Sequence, residues 1–208
     1  MNGCSMRLSI AEICLIFIAG LLAGSRFLEW GRKRYGLESK PAFCAAFGLA
    51  GSFVCLLIFE NRGMSLEGLF YSLCVFVLLL IGMVDEKTFE IPVELNLFIC
   101  ILGGIRLLTD LACWQEYGAG MAAVSGLLLL LAFMTKGKGI GGGDIKLMAA
   151  AGLLLGLEGI LTAFFLGGIT GVCIHSIRMK LWGKGSVMAL GPYLSFGILI
   201  VMAWGSSR

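Results

Sequence analysis

Hydrophobic residues fall along this chain in long continuous runs, with the polar residues gathered into short stretches between them. Eight runs are distinguishable, at 8–25, 43–59, 66–84, 95–113, 119–134, 145–157, 159–177 and 188–204. A helix that crosses a bilayer needs about 20 apolar residues. The pattern therefore predicts an all-α polytopic membrane protein with about eight transmembrane helices joined by short loops. The sixth run is short and predicts a helix that enters from a loop at the interface. Gly20/Gly24, Gly152/Gly156 and Gly167/Gly171 have small-xxx-small spacing, which predicts faces packed closely against neighbouring helices. No repeat, low-complexity tract or Pro-rich linker divides the chain. A single integral membrane domain over 1–208 is expected, with N-terminal helices in 1–65 and a core from 66 to 208.

The basic residues give this bundle an orientation. Arg7, an apolar run and Leu22-Ala23-Gly24-Ser25 resemble a cleaved export signal, but Arg26, Arg32, Lys33, Arg34 and Lys40 follow directly. Such a cluster resists export, so the first helix is expected to be retained with its N-terminus outside. If eight spans alternate, the loops that share a side with 26–42 are 85–94, 135–144 and 178–187. They add Lys87, Lys136, Lys138, Arg178, Lys180 and Lys184, which brings that side to eleven cations; Arg7, Arg62 and Arg208 are the three on the other. The asymmetry predicts that these loops are cytoplasmic and both termini outside.

Composition sharpens the picture by exclusion. The 208 residues are 59% hydrophobic and 14% charged, with mean hydropathy +0.96, far from the roughly 25% charged residues of a soluble domain. A net charge of +3 is too small to argue for nucleic acid as a partner; the lipid bilayer is the expected one. The eight cysteines, at 4, 14, 44, 55, 74, 100, 113 and 173, form no C-x-x-C pair and accompany a single histidine, His175. They read as small core residues, and neither a zinc site nor another metal or cofactor is implied.

Ionisable groups near membrane depth are costly, so each is a candidate for function. Two aspartates stand out. Asp85 ends the third run, in Gly82-Met83-Val84-Asp85-Glu86-Lys87-Thr88-Phe89-Glu90-Ile91-Pro92, and Asp144 starts the sixth, in Gly141-Gly142-Gly143-Asp144-Ile145-Lys146-Leu147. Parity puts both at one membrane face, with two spans between them. Each has a plainer reading: Asp144 as a helix N-cap after a glycine-rich turn, Asp85 as a solvated interfacial charge. Together they make a carboxylate pair, in which one group serves as base and the other as acid. A helix N-terminus behind Asp144 suits a negative charge there, but a coupled pair titrates as a unit and leaves the roles open.

The run Gly141 to Leu147 resembles the GxGDxKL motif of the type IV prepilin peptidases, a family of intramembrane aspartic proteases. Asp85 with Thr88, Ile91 and Pro92 resembles that family's other aspartate segment, and Leu190-Gly191-Pro192-Tyr193-Leu194 its C-terminal FGPFL segment. Gly24-Ser25-Arg26-Phe27-Leu28 is distantly similar to the GSFLN after its first helix. The likeness is good from about residue 66, making 66–208 the peptidase core, and loose before it. It implies a GxGD-type protease bundle with Asp85 and Asp144 catalytic, and Gly141, Gly143, Lys146, Thr88, Pro92 and Pro192 supporting. The substrate implied is a prepilin or pseudopilin with a short basic leader ending in Gly, cleaved at the cytoplasmic face of the plasma membrane. Many family members carry a large insert after the first helix, often with paired C-x-x-C motifs, and also N-methylate the product. Here that loop is short and has no C-x-x-C, so leader cleavage without methyl transfer is expected.

The remaining polar residues have simpler readings. Lys146 snorkels to the interface, Glu86 and Lys87 are solvated, and Arg106 and Asp110 pair at i, i+4. Glu12 is unexplained by the pattern, with a partner across helices favoured over catalysis, and His175 reads as a hydrogen-bonded interfacial residue. Two other function classes fit part of the pattern. A small transporter or channel could use Asp85 and Asp144 as proton or cation sites between broken helices, but leaves the Ile-Pro segment and the GxGDxKL run unexplained. A non-catalytic subunit of a secretion system is the other.

Overall fold

In the computed structural model the described residues are 8–37, 41–137, 139–182 and 188–204. Arg7, Lys40, Lys138, Lys184, Arg208 and Cys4, all used above, lie outside them. Several helix starts have a local cause. Helix α1 (Ile10–Tyr35) opens on a capping box: Ser9 Oγ accepts from Glu12 N and Glu12 Oε2 accepts from Ser9 N. Glu12 is thus a helix starter rather than one half of a pair across helices, a correction to the sequence reading. Helix α2 (Pro41–Arg62) has proline at its first position, where the missing N–H costs nothing. Helix α3 (Leu66–Thr88) begins after Ser65, whose Oγ accepts from Gly68 N at 3.1 Å. Helix α4 (Val93–Thr109) follows Pro92, and a 3-10 turn at Leu111–Cys113 leads into α5 (Trp114–Met134). Helices α6 (Gly142–Trp182) and α7 (Gly191–Trp204) complete the chain.

Among the described residues, five stretches are long and apolar enough to cross a membrane: α1, 43–62 of α2, α3, 111–134 and 142–181 of α6. The described chain is therefore helical throughout its regular structure and multi-pass in character. The last of the five is not straight. Gly156, at φ 75° and ψ −178°, interrupts α6, in a region of backbone space that only glycine enters readily. A straight helix at 1.5 Å per residue would carry Arg178 roughly 50 Å from Asp144. Instead Arg178 Nη1 donates to Glu86 at 3.1 Å, while Asp144 interacts electrostatically with neighbouring Asp85. Helix α6 therefore doubles back at Gly156, and its two arms, 142–155 and 157–182, are the sixth and seventh apolar runs.

The chain divides into two compact units, 1–80 with 202–208 and 81–201. In the first, α1 and α2 run antiparallel. An added Cβ on Gly20 would stand 2.6 Å from Ser52 Oγ, and one on Gly24 would stand 3.1 Å from the Gly48 Cα. The Phe76 ring from α3 closes over Gly24 and Gly51. Arg62 stacks 4.5 Å over the Tyr71 ring, pairs with Glu67, and with Asn61 donates to the last carbonyls of α7, those of Met202 and Ala203. Small residues carry the second unit too. A Cβ on Gly152 would lie 2.2 Å from the Gly120 carbonyl oxygen of α5, and one on Gly197 would lie 2.2 Å from that of Ala163. Gly167 and Gly171 pack on Tyr193 in the same antiparallel contact between α7 and the second arm of α6. The three small-residue pairs thus pack as their spacing predicts.

Candidate active site

Asp85 occupies the last turn of α3 and is only 4% exposed. The plainer alternative for Asp85, a solvated interfacial charge, does not fit this burial. Its Oδ2 accepts a 2.9 Å hydrogen bond from the backbone N–H of Gly191, the first residue of α7. Only glycine leaves room for this, because a Cβ on Gly191 would sit 2.7 Å from that same oxygen. One turn earlier, Gly82 admits Pro192, whose Cα would be 3.3 Å from an added Cβ. The Gly-Pro pair that opens α7 is therefore moulded onto the end of α3.

Beyond Asp85 the chain turns sharply. Phe89 N donates to Asp85 O at 2.8 Å, and Phe89 itself takes φ 55°, the left-handed conformation that ends many helices. Thr88 Oγ1 donates to Val84 O at 2.9 Å and accepts from Glu90 N at 3.3 Å. Thr88 thus ties the turn to the helix it leaves. Ile91 is buried, and Pro92 directs the chain into α4. Ile91 rests on the glycine run: a Cβ on Gly143 would stand 2.9 Å from the Ile91 Cβ.

Asp144 is the third residue of α6 and is 7% exposed. Its carboxyl reaches back to the backbone N–H of Gly141, which is half of a capping box. Asp144 is therefore not the N-cap that the plainer reading made it, but one of its oxygens caps the helix from the third position. The other, Oδ1, is buried and has no hydrogen-bond partner among the described residues. The Asp85 and Asp144 carboxyls, 59 positions apart in sequence, lie within electrostatic reach of each other. Both belong to the same compact unit.

Two residues that the sequence did not single out also border this place. Asn96, 4% exposed in the first turn of α4, donates through Nδ2 to the Gly143 carbonyl at 3.3 Å. Arg178 joins Glu86 to Tyr193, linking the ends of α3, α6 and α7. A polar residue at the start of an apolar run was the only signal for Asn96, and nothing in the spacing named its partner. Glu86 is exposed but paired rather than merely solvated. Lys146 is exposed, as is Gly141, and His175 is half-buried. Arg106 and Asp110 meet away from the aspartates around Tyr117: Arg106 Nε donates to the Tyr117 hydroxyl, which donates to Asp110 Oδ2, both at 3.3 Å.

A profile described as the type IV leader peptidase family matches residues 72–176. A prepilin leader peptidase/N-methyltransferase of Bacillus subtilis is 30% identical over 149 residues, covering 70% of this chain and 59% of that protein. Proteins of the same name from Xanthomonas campestris and Legionella pneumophila are 26% and 30% identical. These matches cover 85% and 70% of this chain and 64% and 53% of the relatives. The chain thus spans little more than half the length of these curated relatives. No solved structure matches it significantly.

Proposed function

From the premise that the chain belongs to the type IV leader peptidase family, we propose that it is an aspartic endopeptidase with Asp85 and Asp144 as its catalytic pair. The substrate is a prepilin or pseudopilin, cut between a short basic leader and the apolar helix that follows. Two carboxyl groups this close work with one proton between them. The ionised one takes a proton from water, and the water oxygen bonds to the scissile carbonyl carbon. The protonated one donates to the developing oxyanion. Collapse of the tetrahedral intermediate breaks the C–N bond, and the amine leaves with the proton that the base had taken up. Gly141 and Gly191 bring backbone N–H groups to the two carboxyls, which orients them without adding bulk.

The observation that carries this reading is the meeting of two buried carboxyls from helix ends 59 positions apart, one of them with an unengaged oxygen. The doubling-back of α6 supports eight crossings, since it returns the chain to the aspartates from one helix. The excess of Lys and Arg in alternate loops supports a cytoplasmic site. The α1–α2 connection, from Gly36 to Lys40, leaves no room for a separate methyl-donor fold, so leader cleavage is assigned without methylation.

Co-expression with pilin-like proteins of the same organism tests the proposal. A faster-migrating product should form only with the active protein, and its mass should show a free, unmethylated new N-terminus. A leader left intact on every such protein would overturn the peptidase reading.

A further inference from the structure

Asp144 follows three consecutive glycines, which have no side chains to hold their own backbone. The last of them is held from outside. Ile91 packs against the Gly143 Cα, and Asn96 Nδ2 donates to the Gly143 carbonyl at 3.3 Å across 47 residues of sequence. That carbonyl belongs to the planar peptide unit that also contains Asp144 N and Cα. A bond to it therefore constrains the backbone from which the Asp144 carboxyl projects. Asn96 is an expensive choice for a packing role alone: it is 4% exposed, and its Oδ1 is buried without a hydrogen-bond partner. An unpaired buried amide oxygen destabilises a fold, so an apolar side chain of equal size would pack better.

We propose that Asn96 is a positioning residue for Asp144, acting through the Gly143 peptide unit to hold the carboxyl in its working orientation. This rests on the reading of Asp144 as one of the catalytic pair. Asn96 does not touch the reacting atoms; its effect is on the angle and distance at which Asp144 meets them. A misplacement of about 1 Å at a reacting group lowers turnover by roughly 100-fold.

The test uses the full-length protein in nanodiscs with a pilin-like substrate from the same organism, and variants Asn96→Leu, Asn96→Asp and Asn96→Gln. Asn96→Asp has the size of asparagine and, assayed at a pH where it is ionised, no donor for the Gly143 carbonyl; Asn96→Gln retains one. The first two should lower kcat by about 10- to 100-fold, with KM within about threefold of the parent, and Asn96→Gln should recover part of the loss. Hydrogen exchange should become faster at the amides of Gly141 to Ile145 in the first two variants. If Asn96→Leu fails to accumulate, Asn96→Asp decides. Parental kcat in Asn96→Asp, or a reduced kcat with unchanged exchange in that segment, overturns the proposal. Asp144→Asn run alongside separates the two readings. Cleavage by that variant defeats the catalytic pair itself, whereas a silent Asp144→Asn beside a fully active Asn96→Asp defeats only the role of Asn96.

Discussion

The two compact units use the same packing device and differ in what they bury. In the unit built on 1–80, the buried polar residue among those described is Ser52, and its hydroxyl donates to Gly48 O of its own helix at 2.8 Å. Arg32 Nε of the same unit is also buried with no hydrogen-bond partner among the described residues. In the unit built on 81–201 the buried polar residues are Asp85, Asn96, Asp144 and Ser195, and the last three each have a buried oxygen with no partner among the described residues. Buried polar groups without partners destabilise a fold. The contrast teaches that small-residue packing builds both bundles, while buried carboxyl groups, among the described residues, occur in the second unit alone.

The strongest way to break this contrast is to remove the charges. Asp85→Asn and Asp144→Asn retain size but end proton exchange, and each should lower leader cleavage by about 10³-fold or more. Residues that act as one unit are not additive, so the double variant should be hardly worse than either single one. A cleavage gel normalised to the amount of inserted protein measures this. Full processing by either well-expressed single variant would sink the aspartic mechanism.

Next comes the backbone that orients them. Gly191→Ala would put a methyl group 2.7 Å from Asp85 Oδ2, so the carboxyl or the start of α7 must move. Turnover should fall by roughly 10- to 100-fold while the protein still accumulates. Parental turnover would show that the Gly191 amide does not set the geometry of Asp85.

In the first unit the effect should fall on stability instead. Gly20→Leu drives a side chain into Ser52, where even a Cβ would meet Oγ at 2.6 Å. Overpacking of this kind costs about 1–3 kcal/mol. The variant should unfold at lower temperature yet cleave at nearly the parental rate per folded molecule. A selective loss of kcat without loss of stability would erase the distinction between the two units.

The smallest effects belong to polar residues outside the pair. Lys146→Gln changes an exposed side chain, Asp110→Asn alters a cluster around Tyr117, and His175→Ala trims a half-buried ring. Each should retain cleavage within about threefold of the parent, since surface changes of this kind are typically worth less than 0.5 kcal/mol. A large loss in Lys146→Gln would move that lysine from the interface into the mechanism.

Run length alone placed the helices. All eight apolar runs fall on helical stretches, and the boundary between the sixth and seventh lies within two residues of the break at Gly156. This is one-dimensional information, because the bilayer demands continuous apolar segments and the backbone must satisfy its hydrogen bonds within each helix. The aspartates were legible for the same reason, as carboxylates at the ends of apolar runs. Their surroundings were not. Sequence left Asp85 as a candidate for a solvated charge, and only the arrival of Gly191 from 106 residues away buries it and occupies one oxygen. Asn96 looked like an ordinary polar residue until α6 brought Gly143 to it. Glu12 invited a partner on another helix, and the local capping box claimed it first. Periodicity and spacing report what each segment requires of its solvent. Which donor meets which acceptor across 47 or 106 residues depends on how closely glycine-lined helices approach, and that is decided only when they pack.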